Sequence, residues 1–183
     1  MNRSLLTVLL IGGILCIGLG IYFGFIKNAP TTSLPTQSVK VSPDNKTATI
    51  VVPATAAYGI NAVDASTGKQ FVINPGEDIE ISVSGNVQVG TDRPVVGPEG
   101  ETTGYFDTGV DSPYSRNVGG LEMWIGPNRA SQHYLIGSNV RQRFPEGGVP
   151  TFRVIDKLPM RMASGKMEGY QGTGAFTVTI TKR

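Results

Sequence analysis

Hydrophobic and polar residues alternate along much of the chain, which is typical of β-strands with one buried face. The clearest segment is 176–181, where Phe176, Val178 and Ile180 alternate with three threonines. In residues 79–84, two isoleucines and a valine alternate with glutamate and serine in the same way. The pattern predicts further strands at 47–52, 71–73, 121–125, 134–136, 141–144 and 151–155.

No segment after residue 27 has a helical period, and the chain has 24 Gly and 12 Pro, which favour tight turns between short strands. The predicted fold is therefore all-β, a jelly-roll-like antiparallel β-sandwich preceded by one N-terminal transmembrane helix. Residues 90–120 have little periodicity and many glycines. This long irregular segment is expected to carry binding residues, since loops on a rigid scaffold often do.

The predicted helix is the uncharged run 5–26, which is long enough to cross a hydrocarbon core of about 30 Å. A retained anchor over residues 1–27 is favoured over a cleaved signal peptide, because Ala29 stands in a poor cleavage context between Asn28 and Pro30. Arg3 before the run favours a cytoplasmic N-terminus. The expected location is a bacterial inner membrane, with the β domain in the periplasm or outside the cell.

Small residues recur at every fourth position within this run. Such a row lets a second helix approach closely inside a membrane, and we expect it to pack against a partner helix. The row consists of Gly12, Cys16, Gly20 and Gly24. Residues 28–40 follow it as a linker rich in Pro, Ser and Thr, and residues 41–183 form the predicted sandwich.

Charge excludes one class of partner. Beyond residue 27 the chain has 14 basic and 14 acidic side chains, since only Arg3 and Lys27 precede that point, and a neutral domain has no electrostatic footprint for nucleic acid. Acids predominate from 64 to 122 and bases from 129 to 183. We expect the fold to interleave these two regions so that their charges cancel.

Catalytic chemistry has little support in the sequence. The single His133 has no nucleophile motif to serve and is interpreted as structural. The pairs Glu99 with Glu101, and Asp107 with Asp111, are each spaced closely enough to act as acid and base or to hold a cation, but isolated acids in loops are commoner.

Trp124 lies in a predicted strand beside Met123, so alternation places the two side chains on opposite faces. Core packing is the favoured interpretation for Trp124. The alternative is an outward aromatic anchor for a partner or a sugar ring.

Six short motifs, taken in order, resemble the galactophilic bacterial lectin family, whose best-known member is the PA-I galactose lectin. They are INPGEDI at 73–79, GPEG at 97–100, GLEMWIG at 120–126, YLIGSN at 134–139, FRVID at 152–156 and GTGAFTV at 172–178. Together they span most of residues 71–181. The resemblance implies a small jelly-roll sandwich that binds sugar hydroxyls through a calcium ion.

By position, the resemblance implies that Ile73 offers a backbone carbonyl and Asp156 a carboxylate to that calcium. The family's consecutive asparagines fall on Gln171 and Gly172, and a glycine has no side-chain oxygen to contribute. The lectin-like face would bind a ligand through Tyr105, Asp107, Asp156 and Gln171.

The leading functional hypothesis is a non-catalytic accessory subunit that stabilises a larger membrane protein complex, such as a respiratory or photosynthetic one, without a cofactor of its own. It depends on the small-residue row and on the incomplete calcium pattern. The alternative is a membrane-tethered carbohydrate-binding module, in which calcium would be the one implied ion.

Overall fold

The computed structural model describes residues 36–56, 58–90, 93–101, 113–114, 117–126, 132–156 and 172–183, all within the compact unit Leu34–Arg183. These residues form nine β-strands: β1 (Ser38–Val41), β2 (Thr47–Pro53), β3 (Ile60–Asn61), β4 (Asp78–Gln88), β5 (Leu121–Ile125), β6 (His133–Leu135), β7 (Asn139–Arg143), β8 (Pro150–Val154) and β9 (Thr173–Lys182). All their pairings are antiparallel. The described part is therefore all-β, as predicted.

The larger sheet has the strand order β1-β2-β9-β4-β7. Its two longest strands show the predicted alternation, because Ile79 and Ile81 of β4 are fully buried while Ser82 is exposed. The register pairs Ile81 with Ile180 and Ser82 with Thr179, so buried residues lie beside buried ones. One face of this sheet consequently covers the core and the other faces solvent.

The smaller sheet has the order β3-β8-β5-β6. All five residues of β5 and all five of β8 are buried. Both faces of its two central strands are thus covered, whereas an antiparallel sheet commonly leaves one face in water.

The core lies between the sheets and contains aromatic and aliphatic side chains from both of them. Phe152 and Met123 of the smaller sheet and Phe176 of the larger one are fully buried in a single hydrophobic cluster. Burying each such side chain contributes about 1.5–3 kcal/mol. The cluster also includes Phe71 and Ile73, which pack in it although they do not belong to a strand.

Two predictions of local structure are wrong. Residues 71–73 do not form a strand: Phe71 donates a backbone hydrogen bond to the Ala62 carbonyl, and Ile73 makes an isolated bridge with Gly148. The predicted linker 28–40 overlaps β1, which begins at Ser38 and pairs with β2. Val39 and Val41 pack against the core from this edge strand, which explains why a segment of linker-like composition is ordered.

Charge cancellation between the two halves of the sequence is confirmed. Arg141 binds Asp78, Lys182 binds Glu77 and Arg183 binds Glu80, at N–O distances of 2.9, 3.2 and 2.6 Å. Each pair joins the acidic region to the basic one. Their elements are adjacent because β4 pairs with both β7 and β9.

Among the described residues there is no helix with the length and apolar character needed to cross a bilayer. The predicted anchor and its row Gly12, Cys16, Gly20 and Gly24 lie outside the described residues.

Candidate functional site: a groove at the edge of the smaller sheet

The face of the smaller sheet that points away from the core carries polar and aromatic side chains. Register places Trp124 of β5 opposite Thr151 of β8 and His133 of β6. Glu122 lies two residues from Trp124 on the same face of β5, directly opposite Arg153. We call this side, bearing Asn61, Glu122, Trp124, His133, Thr151 and Arg153, the outer face.

Trp124 was expected in the core, and that expectation is wrong about the face but right about burial. Met123 belongs to the core cluster and Trp124 does not, as the alternation of a strand requires. The indole is nevertheless only 4% exposed. His133 stacks on it with the ring centroids 5.4 Å apart, and the Arg153 guanidinium lies 5.9 Å from its ring centroid.

A buried ion pair lies beside this tryptophan. The Arg153 Nε donates to the Glu122 Oε1, and both side chains are fully buried. The His133 Nδ1 lies 3.5 Å from the other carboxylate oxygen of Glu122. This cluster keeps His133 in a packing role, which agrees with its structural interpretation.

A groove of about 590 Å³ lies beside Trp124 and follows the β3 edge of the smaller sheet. Its most exposed wall is Tyr58, whose side chain is 65% exposed. The described lining residues are Tyr58, Gly59, Asn61, Val63, Gln70, Trp124, Gly126, Gly147, Gly148, Val149 and Thr151. The volume is that of a small-molecule site.

Gly59 brings the wall of the groove close to Trp124. A Cβ atom at this position would lie 2.6 Å from the indole Cη2 and 2.7 Å from the Thr151 Cγ2. The residue also has a φ of 84°, which side-chain-bearing residues rarely adopt. Only glycine therefore lets the chain after Tyr58 pass directly over the edge of the indole.

The described polar side chains that line the groove are uncharged. Thr151 donates a hydrogen bond of 2.6 Å from its hydroxyl to the Asn61 Oδ1, across the register pair that joins β8 to β3. Asn61 is itself exposed, so its amide nitrogen remains available to a ligand. Gln70 adds a second exposed carboxamide from the segment that bridges to Val63.

The opposite rim is a pair of glycines held from three sides. Gly148 exchanges two backbone hydrogen bonds with Ile73, of 2.8 and 2.9 Å. A Cβ on Gly147 would lie 2.6 Å from the Pro75 ring. The preceding Glu146 accepts a hydrogen bond of 2.6 Å from the Tyr134 hydroxyl. Burial and this carboxylate raise the pKa of Tyr134, so the phenol stays protonated and continues to donate.

The calcium ligands implied by the lectin resemblance do not come together. Ile73 pairs with Gly148 just before β8 begins, whereas Asp156 follows the end of β8. Gly148 and Asp156 are eight residues apart, so at about 3.3 Å per residue the intervening extended chain separates them by roughly 26 Å. Oxygen ligands lie about 2.3–2.6 Å from Ca²⁺, so one ion cannot bind both residues.

The other predicted ligand-binding residues have different outcomes. Asp156 is half-buried beyond the end of β8. Gly172 lies against Ala54 and the Gln88 carbonyl, where an added Cβ would be 2.7 Å from the Ala54 Cβ and 3.2 Å from that oxygen. The remaining residues of this set, Tyr105, Asp107 and Gln171, lie outside the described residues, as does Asp111.

The Glu99 and Glu101 carboxylates are engaged separately. Glu99 accepts hydrogen bonds from the backbone N–H and the hydroxyl of Ser138, and the hydroxyl contact lowers its pKa most. Glu101 is buried and pairs with Arg93 at 3.2 Å. This candidate acid–base pair is therefore used to fix loops. In the described part of the chain, no three His, Cys, Asp or Glu side chains cluster as a metal site would require.

Sequence reasoning did not single out Tyr58, Asn61 or Thr151, which line the groove. Tyr58 and Asn61 lie in a segment without periodicity, and Thr151 looked like an ordinary strand residue. The one usable signal was the Tyr58-Gly59 dipeptide, an aromatic residue followed by a residue that can turn sharply.

No protein-family model and no curated protein match the chain. Among solved structures, the chain is similar to one described as "EclA N-terminal domain; PllA-like lectin". The sequences are 19% identical, the match covers 74% of this chain and 95% of that chain, and the TM-score is 0.49.

Proposed function

We propose that the chain is a non-catalytic carbohydrate-binding module with a lectin-like, jelly-roll-like fold, and that the groove beside Trp124 is its sugar site. The observation that carries this proposal is the exposed Tyr58 ring at a groove whose other described polar side chains are neutral amides and a hydroxyl. Tyrosine is enriched at binding interfaces because its ring packs against apolar surface while its hydroxyl reaches polar groups.

Sugar rings match these two kinds of surface. Their C–H faces are apolar enough to pack on an aromatic ring, while their hydroxyls need hydrogen bonds to amides and backbone groups. Tyr58 supplies the ring, and Asn61 and Gln70 supply the amides. The glycines at 147 and 148 leave the opposite rim free of side chains, so a ligand can approach the backbone there.

Binding is favoured over hydrolysis by the groups that line the groove. Glycoside hydrolysis ordinarily uses two carboxyl groups flanking the scissile bond, and the described lining side chains include none. The buried Glu122 carboxylate is paired with Arg153 on the outer face. We therefore assign the Glu122 carboxylate a structural role in the smaller sheet.

The expected role as an accessory subunit of a membrane complex has no support among the described residues. The predicted anchor at 5–26 remains part of the proposal, and it would tether the module to a bacterial inner membrane with the sugar site outside the cytoplasm. Protease protection of the intact chain in inverted and right-side-out membrane vesicles tests that placement. A β domain cleaved only in inverted vesicles would contradict it.

The sugar site itself is tested by measuring binding of neutral methyl glycosides to the full chain in detergent, by calorimetry and by ligand-observed NMR. Tyr58→Ala should weaken binding about tenfold, which corresponds to roughly 1.4 kcal/mol. Val95→Ala is the matched control, because Val95 is 64% exposed and does not line the groove. Absence of binding to any glycoside, or equal losses in the two variants, would overturn the proposal.

A further inference from the structure

The groove has one hydrogen-bond donor whose direction is set by the fold. We infer that its ligand is a neutral pyranoside which presents an acceptor oxygen to the Asn61 amide nitrogen, and that uronic and other acidic sugars are rejected. This inference rests on the proposed function, because it names the class of sugar bound at the same site.

The direction of the donor follows from Thr151. Its side chain is buried beneath the groove, and its hydroxyl donates to the Asn61 Oδ1 at 2.6 Å. A buried hydroxyl keeps its partner because losing it leaves a polar group unsatisfied. The contact uses the carboxamide oxygen, so the Nδ2 group is turned away from Thr151 and can only donate. In this arrangement a ligand meets the nitrogen end of the amide.

The charge preference follows from the described lining residues. Tyr58, Asn61 and Gln70 are neutral, and none of the other described lining residues is a cation. The Arg153 guanidinium is near, but it is fully buried and binds Glu122. A sugar carboxylate entering the groove would lose water without gaining an opposite charge, which is unfavourable. A hydroxyl oxygen meets the same donor at little cost.

Asn61→Asp tests the donor with little change in shape. The Thr151 hydroxyl can still donate to one oxygen, but the outward group changes from a donor to a negatively charged acceptor. Binding of neutral methyl glycosides should fall about tenfold or more. Asn139→Asp is the matched control, because Asn139 is an exposed strand residue on the larger sheet and receives the same charge.

Thr151→Val tests the positioning role separately. It removes the hydroxyl while keeping the branched shape, so the Asn61 amide becomes free to rotate and to present either end. Binding of neutral glycosides should weaken by about twofold, less than in Asn61→Asp, because half of the amide orientations remain productive. A merely structural role for Thr151 would change the melting temperature and leave affinity unaltered.

The wild-type protein tests the charge preference without any variant. The probes are the methyl glycosides of glucose, galactose and mannose, each compared with the corresponding uronic acid at pH 7. Each uronate should bind at least about tenfold more weakly than its neutral counterpart. Equal binding within a pair, or neutral-sugar binding unaffected by Asn61→Asp, would overturn this inference alone if Tyr58→Ala still weakens binding. Absence of all sugar binding would instead overturn the proposed function and, with it, this inference.

Discussion

Each sheet carries an arginine–carboxylate pair on the face turned away from the core, and the two pairs differ in their exposure to solvent. On the larger sheet, Arg141 and Asp78 are 61% and 25% exposed, beside exposed threonines and serines. On the smaller sheet, Arg153 and Glu122 are both fully buried beside Trp124. The first surface is an ordinary solvated sheet face, whereas the second has the architecture of an interior.

The difference indicates where this fold can build a site. Interior-like packing fixes side-chain positions, and a binding groove depends on such fixed positions. The proposed groove accordingly lies at the edge of the smaller sheet, where Trp124 and Thr151 supply its base. The Arg141–Asp78 and Arg183–Glu80 ion pairs of the larger sheet are open to water, so they fix the positions of its polar groups less firmly.

Breaking the buried pair should give the largest effect. Arg153→Met leaves the Glu122 carboxylate without its arginine in a dry environment, and we expect a loss of about 3–5 kcal/mol in the free energy of unfolding. Arg141→Met on the larger sheet should cost far less, because water replaces its contacts with Asp78. Urea unfolding of both variants measures the difference.

The double variant Glu122→Leu, Arg153→Met removes both charges and should recover most of the stability lost in the single variant. Similar losses for Arg153→Met and Arg141→Met would show that the outer face of the smaller sheet is wetter than its burial indicates.

Gly59 and Gly68 provide the next comparison. Both have a positive φ, of 84° and 70°, so alanine strains the backbone at either site. A Cβ at Gly68 meets nothing within 4 Å, whereas a Cβ at Gly59 would contact Trp124 and Thr151. Gly59→Ala should therefore cost about 1–3 kcal/mol more than Gly68→Ala, in line with overpacking a core.

The same substitution should also weaken sugar binding, because the indole must move to admit the methyl group. Thermal unfolding and glycoside titration of both variants check this. Equal stability of the two variants would mean that the strand edge can shift away from Trp124 without penalty.

The smallest expected effect concerns acid stability of the larger sheet. The hydrogen bonds from Arg141 lower the pKa of Asp78 in the folded protein. The unfolded chain therefore binds a proton at Asp78 more readily, so this contribution is present above the usual aspartate pKa of about 3.9 and is lost as the pH falls below it. Asp78→Asn should flatten the dependence of the melting temperature on pH below about 4.

Because both side chains of this pair are accessible to water, 0.5 M salt should flatten the wild-type curve in the same direction. A melting curve whose pH dependence is the same in Asp78→Asn as in the wild type would assign the acid sensitivity to other carboxylates.

Much of the fold was predictable because strand alternation reflects solvent directly. β4 and β9 each have one face in water, so apolar and polar residues alternate in their sequences. This alternation predicted where the two strands lie in the chain. β5 was predicted with its observed bounds because a short apolar segment with a tryptophan, interrupted only by Glu122, favours a strand. β1 was missed because an edge strand with few apolar residues is stabilised by pairing with β2, which its own composition does not reveal.

The candidate site was much less predictable. Trp124 was recognised as a choice between two faces, but its burial on the outer face depends on His133 and Arg153, which are distant in sequence. The lectin resemblance implied that Ile73 and Asp156 share an ion. The short motifs that carry this resemblance give no information about the length of the strand between them. Their separation along β8 became visible only from the register.

The position of β9 has a consequence for biosynthesis. This strand comes last among those described, yet it lies in the middle of the larger sheet and pairs Thr181 with Thr47 on one side and with Glu80 on the other. A ribosome must therefore deliver every residue up to β9 before β2 and β4 can be joined. Until then β2 and β4 lack the strand that pairs with both of them. Folding should therefore be slow and sensitive to removal of β9.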